Sequence, residues 1–128
     1  MSHFTRIKTR IVKKDCLIQA LRDLGYAVQE GRLKIRGYGG NQTEVEVMMP
    51  TNNPGYDLGF KKSGDVYEMV ADWYGIEDIQ PDTFLEQVQQ RYAYHTVLER
   101  MQEQGFELVE EENLKDRTIH LTVRRVVS

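Results

Sequence analysis

Leu17, Ile18, Leu21 and Leu24 fall on one stripe at helical spacing, and after Gly25 the pattern changes to an extended stretch over Tyr26 to Glu30. The same succession of residue types returns from Val97 to Glu110, at an offset of 80 residues, with Gly105 in the place of Gly25. Each copy predicts a helix that ends on a left-handed glycine and passes straight into a strand. A duplicated unit of this kind must bury one helix face against one sheet face, which describes how the chain is built and leaves its activity open.

The remaining pattern fills in the elements around these two units. Phe4 to Val12 reads as a strand with Thr5, Ile7, Thr9 and Ile11 on one side and Arg6, Lys8 and Arg10 on the other. Asp15 is placed to cap the first helix. Arg32 to Gln42, with Gly37, Gly39 and Gly40, reads as a hairpin arm or loop before an alternating strand over Thr43 to Met49. Asn52-Asn53-Pro54-Gly55 is a turn cluster, and Ser63-Gly64-Asp65 joins two strands over Tyr56 to Lys62 and Val66 to Trp73. Pro81 and the box Thr83-Phe84-Leu85-Glu86 open the second helix, which runs to Gln104 with Tyr94, Val97, Leu98 and Met101 as its buried stripe. Two more strands follow, Phe106 to Glu112 and Arg117 to Val126, around a loop at Asn113 to Asp116, with Ile119, Leu121 and Val123 inward.

The expected fold is α+β: one antiparallel sheet of about six to seven strands with two helices on one face. The order strand, helix, strand, strand occurs twice, in pseudo-repeats of roughly 3–49 and 66–126, a ferredoxin-like arrangement within one domain, 1–128. The face without helices would be open, and so solvated, dimerised or used.

With 40% apolar and 29% charged residues in 128, the chain can build one core. Its net charge of −3 is unevenly spread: residues 1–40 hold nine Lys or Arg against three Asp or Glu, and the rest hold eight against seventeen. Cys16 is the single cysteine, so no intrachain disulfide forms and a reducing compartment is expected. The start lacks a signal-type apolar core and no run approaches the ~20 apolar residues that span a bilayer, so a cytoplasmic chain without membrane insertion is expected.

Candidate chemistry is sparse. His3, His95 and His120 lack the close spacing of a metal pair, and with one cysteine they predict neither a metal site nor a cofactor. Cys16 near a helix start could have a lowered pKa, although a small buried thiol is the plainer reading; a Cys16–His95 pair lacks an orienting third group. Gly37-Tyr38-Gly39-Gly40 leads into a strand rather than a helix, which suits backbone shape better than phosphate binding. Asp57, Asp65, Asp72, Glu77 and Asp78 read as a solvated acidic middle without calcium-loop spacing. No acid–base pair stands out, so the chain is expected not to be an enzyme.

Two surfaces remain. Arg6, Lys8 and Arg10 with Lys34, Arg36 and Tyr38 combine cations and a ring, the ingredients of a nucleic-acid or small-anion surface, in a chain whose pI near 5.6 argues the other way. Trp73, Tyr74, Tyr67 and Tyr92 are the densest aromatic material, divided between sealing the core and contacting a protein. Adjacent Trp73 and Tyr74 should point opposite ways, one inward and one outward.

The opening Met1-Ser2-His3-Phe4-Thr5, the turn Arg36-Gly37-Tyr38-Gly39, Tyr56-Asp57-Leu58-Gly59-Phe60, Ala71-Asp72-Trp73-Tyr74-Gly75-Ile76, Gln90-Arg91-Tyr92-Ala93-Tyr94 and Gln104-Gly105-Phe106 with Thr118-Ile119 resemble one family across essentially the whole chain. It is the conserved hypothetical open-reading-frame family of algal plastids and cyanobacteria, a domain of unknown function. The resemblance implies a cyanobacterial cytosol or plastid stroma and relatives near an ATPase of the AAA class, and it carries over no site residues. The expected function is an adaptor that binds another protein, with nucleic-acid or small-anion binding as the alternative; the oligomeric state stays open.

Overall fold

The computed structural model describes residues 3–115 and 118–127; the Asp116 end of the predicted loop and the Arg117 start of the last predicted strand lie outside them, as do Met1, Ser2 and Ser128. In chain order the elements are β1 (Thr5–Lys8), α1 (Lys14–Asp23), β2 (Gln29–Arg36), β3 (Gln42–Pro50), β4 (Asp57–Ser63), β5 (Val66–Ala71), α2 (Pro81–Glu103), β6 (Phe106–Asn113) and β7 (Ile119–Arg125). Two short 3-10 turns, Tyr38–Gly40 and Trp73–Gly75, follow β2 and β5.

The fold is α+β, but its strands form two sheets. An antiparallel five-stranded sheet has the order β1-β5-β4-β3-β2, and β6 and β7 form a separate antiparallel ribbon. The expectation of one sheet of six to seven strands is therefore corrected. Cross-strand chemistry gives the reason. In the five-stranded sheet Val47 faces Phe60 and Met49 faces Leu58, apolar against apolar. In the ribbon Ile119 faces Asn113 and Leu121 faces Glu111, so the apolar row of β7 meets no continuous apolar row on β6.

One main core holds the helices to the sheet. Leu17, Ile18 and Leu21 of α1 and Phe84 and Val88 of α2 meet Val47, Met49, Leu58, Phe60, Met69 and Ala71, so both helices cover the same face. The opposite face is less open than expected. Ile35, Val45 and Val70 make a second buried cluster there, with Phe4, Leu33 and Met48 packed around it. Ile35 on the edge strand joins one cluster with Val70 on β5, and Gly59 between them leaves the room, since a Cβ there would lie 2.6 Å from Val45 Cγ1.

Helix ends follow the sequence signals in part. Gly25 and Gly105 take φ of 92° and 86°, the left-handed values predicted for both. Asp15 is not the cap of α1: the helix starts at Lys14 with no side-chain cap, and Asp15 lies in its first turn. Instead the Tyr92 hydroxyl accepts from the Val12 and Lys13 amides, each at 3.0 Å, which ties α2 to the start of α1. The cap of α2 is Gln80, whose side chain accepts from the Thr83 amide at 2.8 Å, followed by Pro81 at the first helical position. Only Phe84 and Val88 of α2 are buried, and its predicted stripe is half-exposed, with Val97 the most open. The two halves share element order but not core positions, since Leu21 is fully buried in the main core and Met101 lies half-buried outside it. No helix among the described residues is long and apolar enough to cross a membrane.

Candidate functional site

Two turns far apart in the chain meet at one end of the five-stranded sheet. Each follows a strand, β2 or β5, and each begins with or contains an exposed tyrosine. Tyr38 and Tyr74 stand edge to face with ring centroids 5.5 Å apart and planes at 89°, while keeping 47% and 72% of their surface exposed. Such a pair contributes about 0.5–1.5 kcal/mol beyond burial.

A buried carboxylate holds the two turns together. Asp72 accepts from the Tyr38 amide at 2.9 Å and from the Tyr74 amide at 3.2 Å, so one side chain fixes both backbones. Gly37 permits the approach, because a Cβ there would lie 2.9 Å from Asp72 Cβ and 3.0 Å from Phe4 Cζ. A second buried carboxylate, Asp57, accepts from the Arg36 amide, Nε and Nη2 at 2.9–3.1 Å and anchors the arm that carries Tyr38. Tyr56 lies beneath, its ring so close to Gly75 that a Cβ there would collide with it. Burial, then the Asp72 carboxylate and the phenols of Tyr74 and Tyr38, push the Tyr56 phenol above its ordinary value. Beside Gly75 a polar cleft of about 550 Å³ is lined by Asn52, Asn53, Glu77 and Asp78.

The four aromatic candidates separate. Tyr74 is exposed, and Trp73 packs half-buried against the main core, which is the division expected of the pair, reached on a 3-10 turn rather than along a strand. Tyr67 is buried in the core and is corrected from a contact candidate to a packing residue. Tyr92 is half-buried, with its hydroxyl occupied by the start of α1.

The basic candidates do not form one cationic surface. Arg6, Lys8, Arg10 and Lys34 are exposed, but carboxylates interleave with them: Lys8 pairs in register with Glu68, Glu68 with Lys61, and Lys34 with Glu44. Arg36 is ion-paired to Asp57, and Tyr38 belongs to the aromatic pair. Sequence reasoning joined Tyr38 to the cations; the structure joins it to Tyr74.

Asp57 and Asp72 were expected to be solvated, and both are buried and hydrogen-bonded. A signal for Asp72 was present, since Asp72-Trp73-Tyr74 is the spacing at which an aspartate accepts from the amide two residues on. Nothing local marks its second bond, to Tyr38.

Elsewhere, α1 and α2 join through polar contacts. The Cys16 thiol donates to Glu99 Oε2 at 3.2 Å, and burial, then this hydrogen bond, push it up to about 12, the opposite of the lowering that a helix start could produce. Asp15, Cys16 and Glu99 offer three donor atoms within 4.8 Å of one another, the strongest metal-like grouping among the described residues. His95 pairs with Asp23 at 2.6 Å, not with Cys16, and Arg91 joins the same carboxylate at 2.9 Å. Burial raises the Asp23 pKa, but the hydrogen bonds from His95 and Arg91 outweigh it and leave the group below its ordinary 3.8.

Comparison with known proteins agrees with the resemblance in the residues. The family model described as "Protein of unknown function (DUF1257)" matches residues 20–122. The chain is 36% identical over 126 residues to "Uncharacterized protein ycf35" of Cyanophora paradoxa, covering 98% of each chain. Proteins of the same name in Pyropia yezoensis and Guillardia theta are 36% and 35% identical over 128 and 126 residues, again with 98% of each chain covered. No solved structure matches the chain. The turns that carry Tyr38 and Tyr74 both fall inside the matched region, and the chain belongs to the DUF1257 family of plastid open reading frames.

Proposed function

We propose that this chain is a non-enzymatic accessory protein, an adaptor that binds another protein through the Tyr38–Tyr74 surface in a cyanobacterial cytosol or plastid stroma. The observation that carries the reading is the pair of exposed rings in edge-to-face contact, on two turns whose backbone amides share one buried carboxylate. Tyrosine is a frequent interface anchor, since it contributes a large contact area for few rotatable bonds, and pre-positioned rings lose little entropy on binding. The groups that could do chemistry are otherwise engaged: Asp57 and Asp72 accept backbone amides, and the Cys16 thiol is protonated and hydrogen-bonded to Glu99. The family resemblance makes an AAA-class ATPase the first partner to try.

The test is capture of partners from native extract with nuclease controls, and of the purified AAA-class ATPase, by wild type and Tyr74→Ala. The variant should lose about 2 kcal/mol of binding, close to thirty-fold in Kd, with its fold intact. Equal capture by both proteins would remove the reading's support.

Nucleic-acid or small-anion binding by Arg6, Lys8, Arg10, Lys34, Arg36 and Tyr38 is the second reading, favoured by the exposure of the first four side chains. It predicts a salt-sensitive complex with RNA or DNA that is lost when Arg6, Lys8 and Arg10 become Gln. No binding at low salt would end it.

A further inference from the structure

We infer that the cup made by Tyr38, Tyr56 and Tyr74 over Asp72 receives a cationic side chain, a lysine or arginine of the partner protein. The inference rests on the adaptor reading and specifies the chemistry of the contact. The faces of aromatic rings are electron-rich and attract cations, whereas their edges do not. Tyr38 and Tyr74 are set edge to face, and Tyr56 stands against Gly75 within the same group of phenols.

Carboxylates outnumber cations among the groups named around the cup. Asp72 lies under both turns, and Glu77 and Asp78 line the cleft that begins at Gly75, both exposed. The cation beside the cup, Arg36, is directed at Asp57 through its guanidinium as well as its backbone amide, so its charge is locally balanced. Burial raises the Tyr56 phenol most, and the Asp72 carboxylate adds to the rise. Nucleotides could stack on the rings, but their phosphates would meet Asp72, Glu77 and Asp78. An alkylammonium or guanidinium group gains from both the ring faces and the carboxylates.

The experiment is NMR of the full chain with assigned tyrosine ring signals, titrated separately with N-methylguanidinium, tetramethylammonium, neutral tert-butanol and a thymidine hexanucleotide. Both cations should shift the Tyr38, Tyr56 and Tyr74 signals in a saturable way. tert-Butanol, similar in shape to tetramethylammonium, should not. Tyr74→Ala should weaken the cation response about ten-fold. Glu77→Gln and added salt of about 0.5 M should weaken it by smaller factors. Equal response to tert-butanol, shifts confined to other residues, or a response to the hexanucleotide alone would overturn the inference. If the cations give no shift while Tyr74→Ala still abolishes partner capture, the adaptor reading stands and the cationic contact falls. If the cations bind at the cup but capture is unaffected by Tyr74→Ala, the adaptor reading and the assignment of the cup to a partner's side chain both fall.

Discussion

The hairpin β2–β3 and the ribbon β6–β7 start from the same local instructions and end in different places. Each follows a helix that stops on a left-handed glycine, and each carries an irregular register, between Glu30 and Leu33 in one and between Leu108 and Glu110 in the other. The first hairpin pairs through β3 with β4, buries Ile35, Val45, Val47 and Met49, and carries the turn that sets Tyr38 against Tyr74. The second stays apart: Ile119, Leu121 and Val123 are half-buried, and a shallow apolar cavity of about 260 Å³ remains between Tyr94 and Val97 of α2 and Ile119 and Leu121. Three consecutive glutamates, Glu110 to Glu112, explain much of the difference, because a strand that carries them alternately on both faces cannot enter a two-sided core. A helix–glycine–strand signal therefore predicts a hairpin, while the residues opposite it decide whether the hairpin joins a sheet.

The contrast is most directly broken by truncating one apolar side chain in each hairpin. Ile35→Ala, at a fully buried site, should cost about 2–5 kcal/mol in denaturant unfolding. Leu121→Ala in the ribbon should cost about 1 kcal/mol, because less of that side chain leaves water on folding. Equal losses would show that the ribbon is as integral as the first hairpin.

A smaller effect is expected where the first hairpin touches the site. Gly37→Ala pushes a methyl group against Asp72 and Phe4 and should destabilise by about 1–3 kcal/mol while displacing the Tyr38 ring. Calorimetry reads the first effect, and the Tyr38–Tyr74 ring contact in NMR reads the second. An unchanged contact would mean that Asp72 does not set the position of both turns.

Acid should loosen the ribbon before the sheet. Arg91 lies between Asp23 of α1, at 2.9 Å, and Glu111 of β6, at 3.5 Å, so the ribbon is held partly by charge. Asp23 has a folded-state pKa below its unfolded value, so its contribution is complete above about pH 4 and is lost as pH falls through the lower folded value. Hydrogen exchange should show β6 and β7 amides losing protection below pH 4 while β4 and β5 keep theirs. Simultaneous loss would tie the ribbon to the main core more firmly than its cross-strand pairs suggest.

The smallest effect on stability belongs to the proposed contact. Tyr74→Ala should change unfolding free energy by about 0.5 kcal/mol or less, since most of the ring is in water. A loss of several kcal/mol would make the ring a structural part of the turn.

The periodicities in the sequence determined the elements and their inner faces: the stripe Leu17, Ile18, Leu21, the alternation around Val47, and the glycine stops at Gly25 and Gly105 all appear as read. These are local properties, fixed by the geometry of a helix turn or a strand pleat. The sequence also supplied both tyrosines, though on two separate candidate surfaces, the opposite orientations of Trp73 and Tyr74 without saying which points inward, and the family. Pairing partners lay beyond local pattern. That β6 and β7 stand apart, that Ile35 joins one cluster with Val70, and that Tyr67 turns inward follow from which side chains oppose each strand after folding. Only tertiary structure placed one carboxylate, Asp72, between amides 36 residues apart, because a hydrogen bond between distant turns leaves no periodic mark on either.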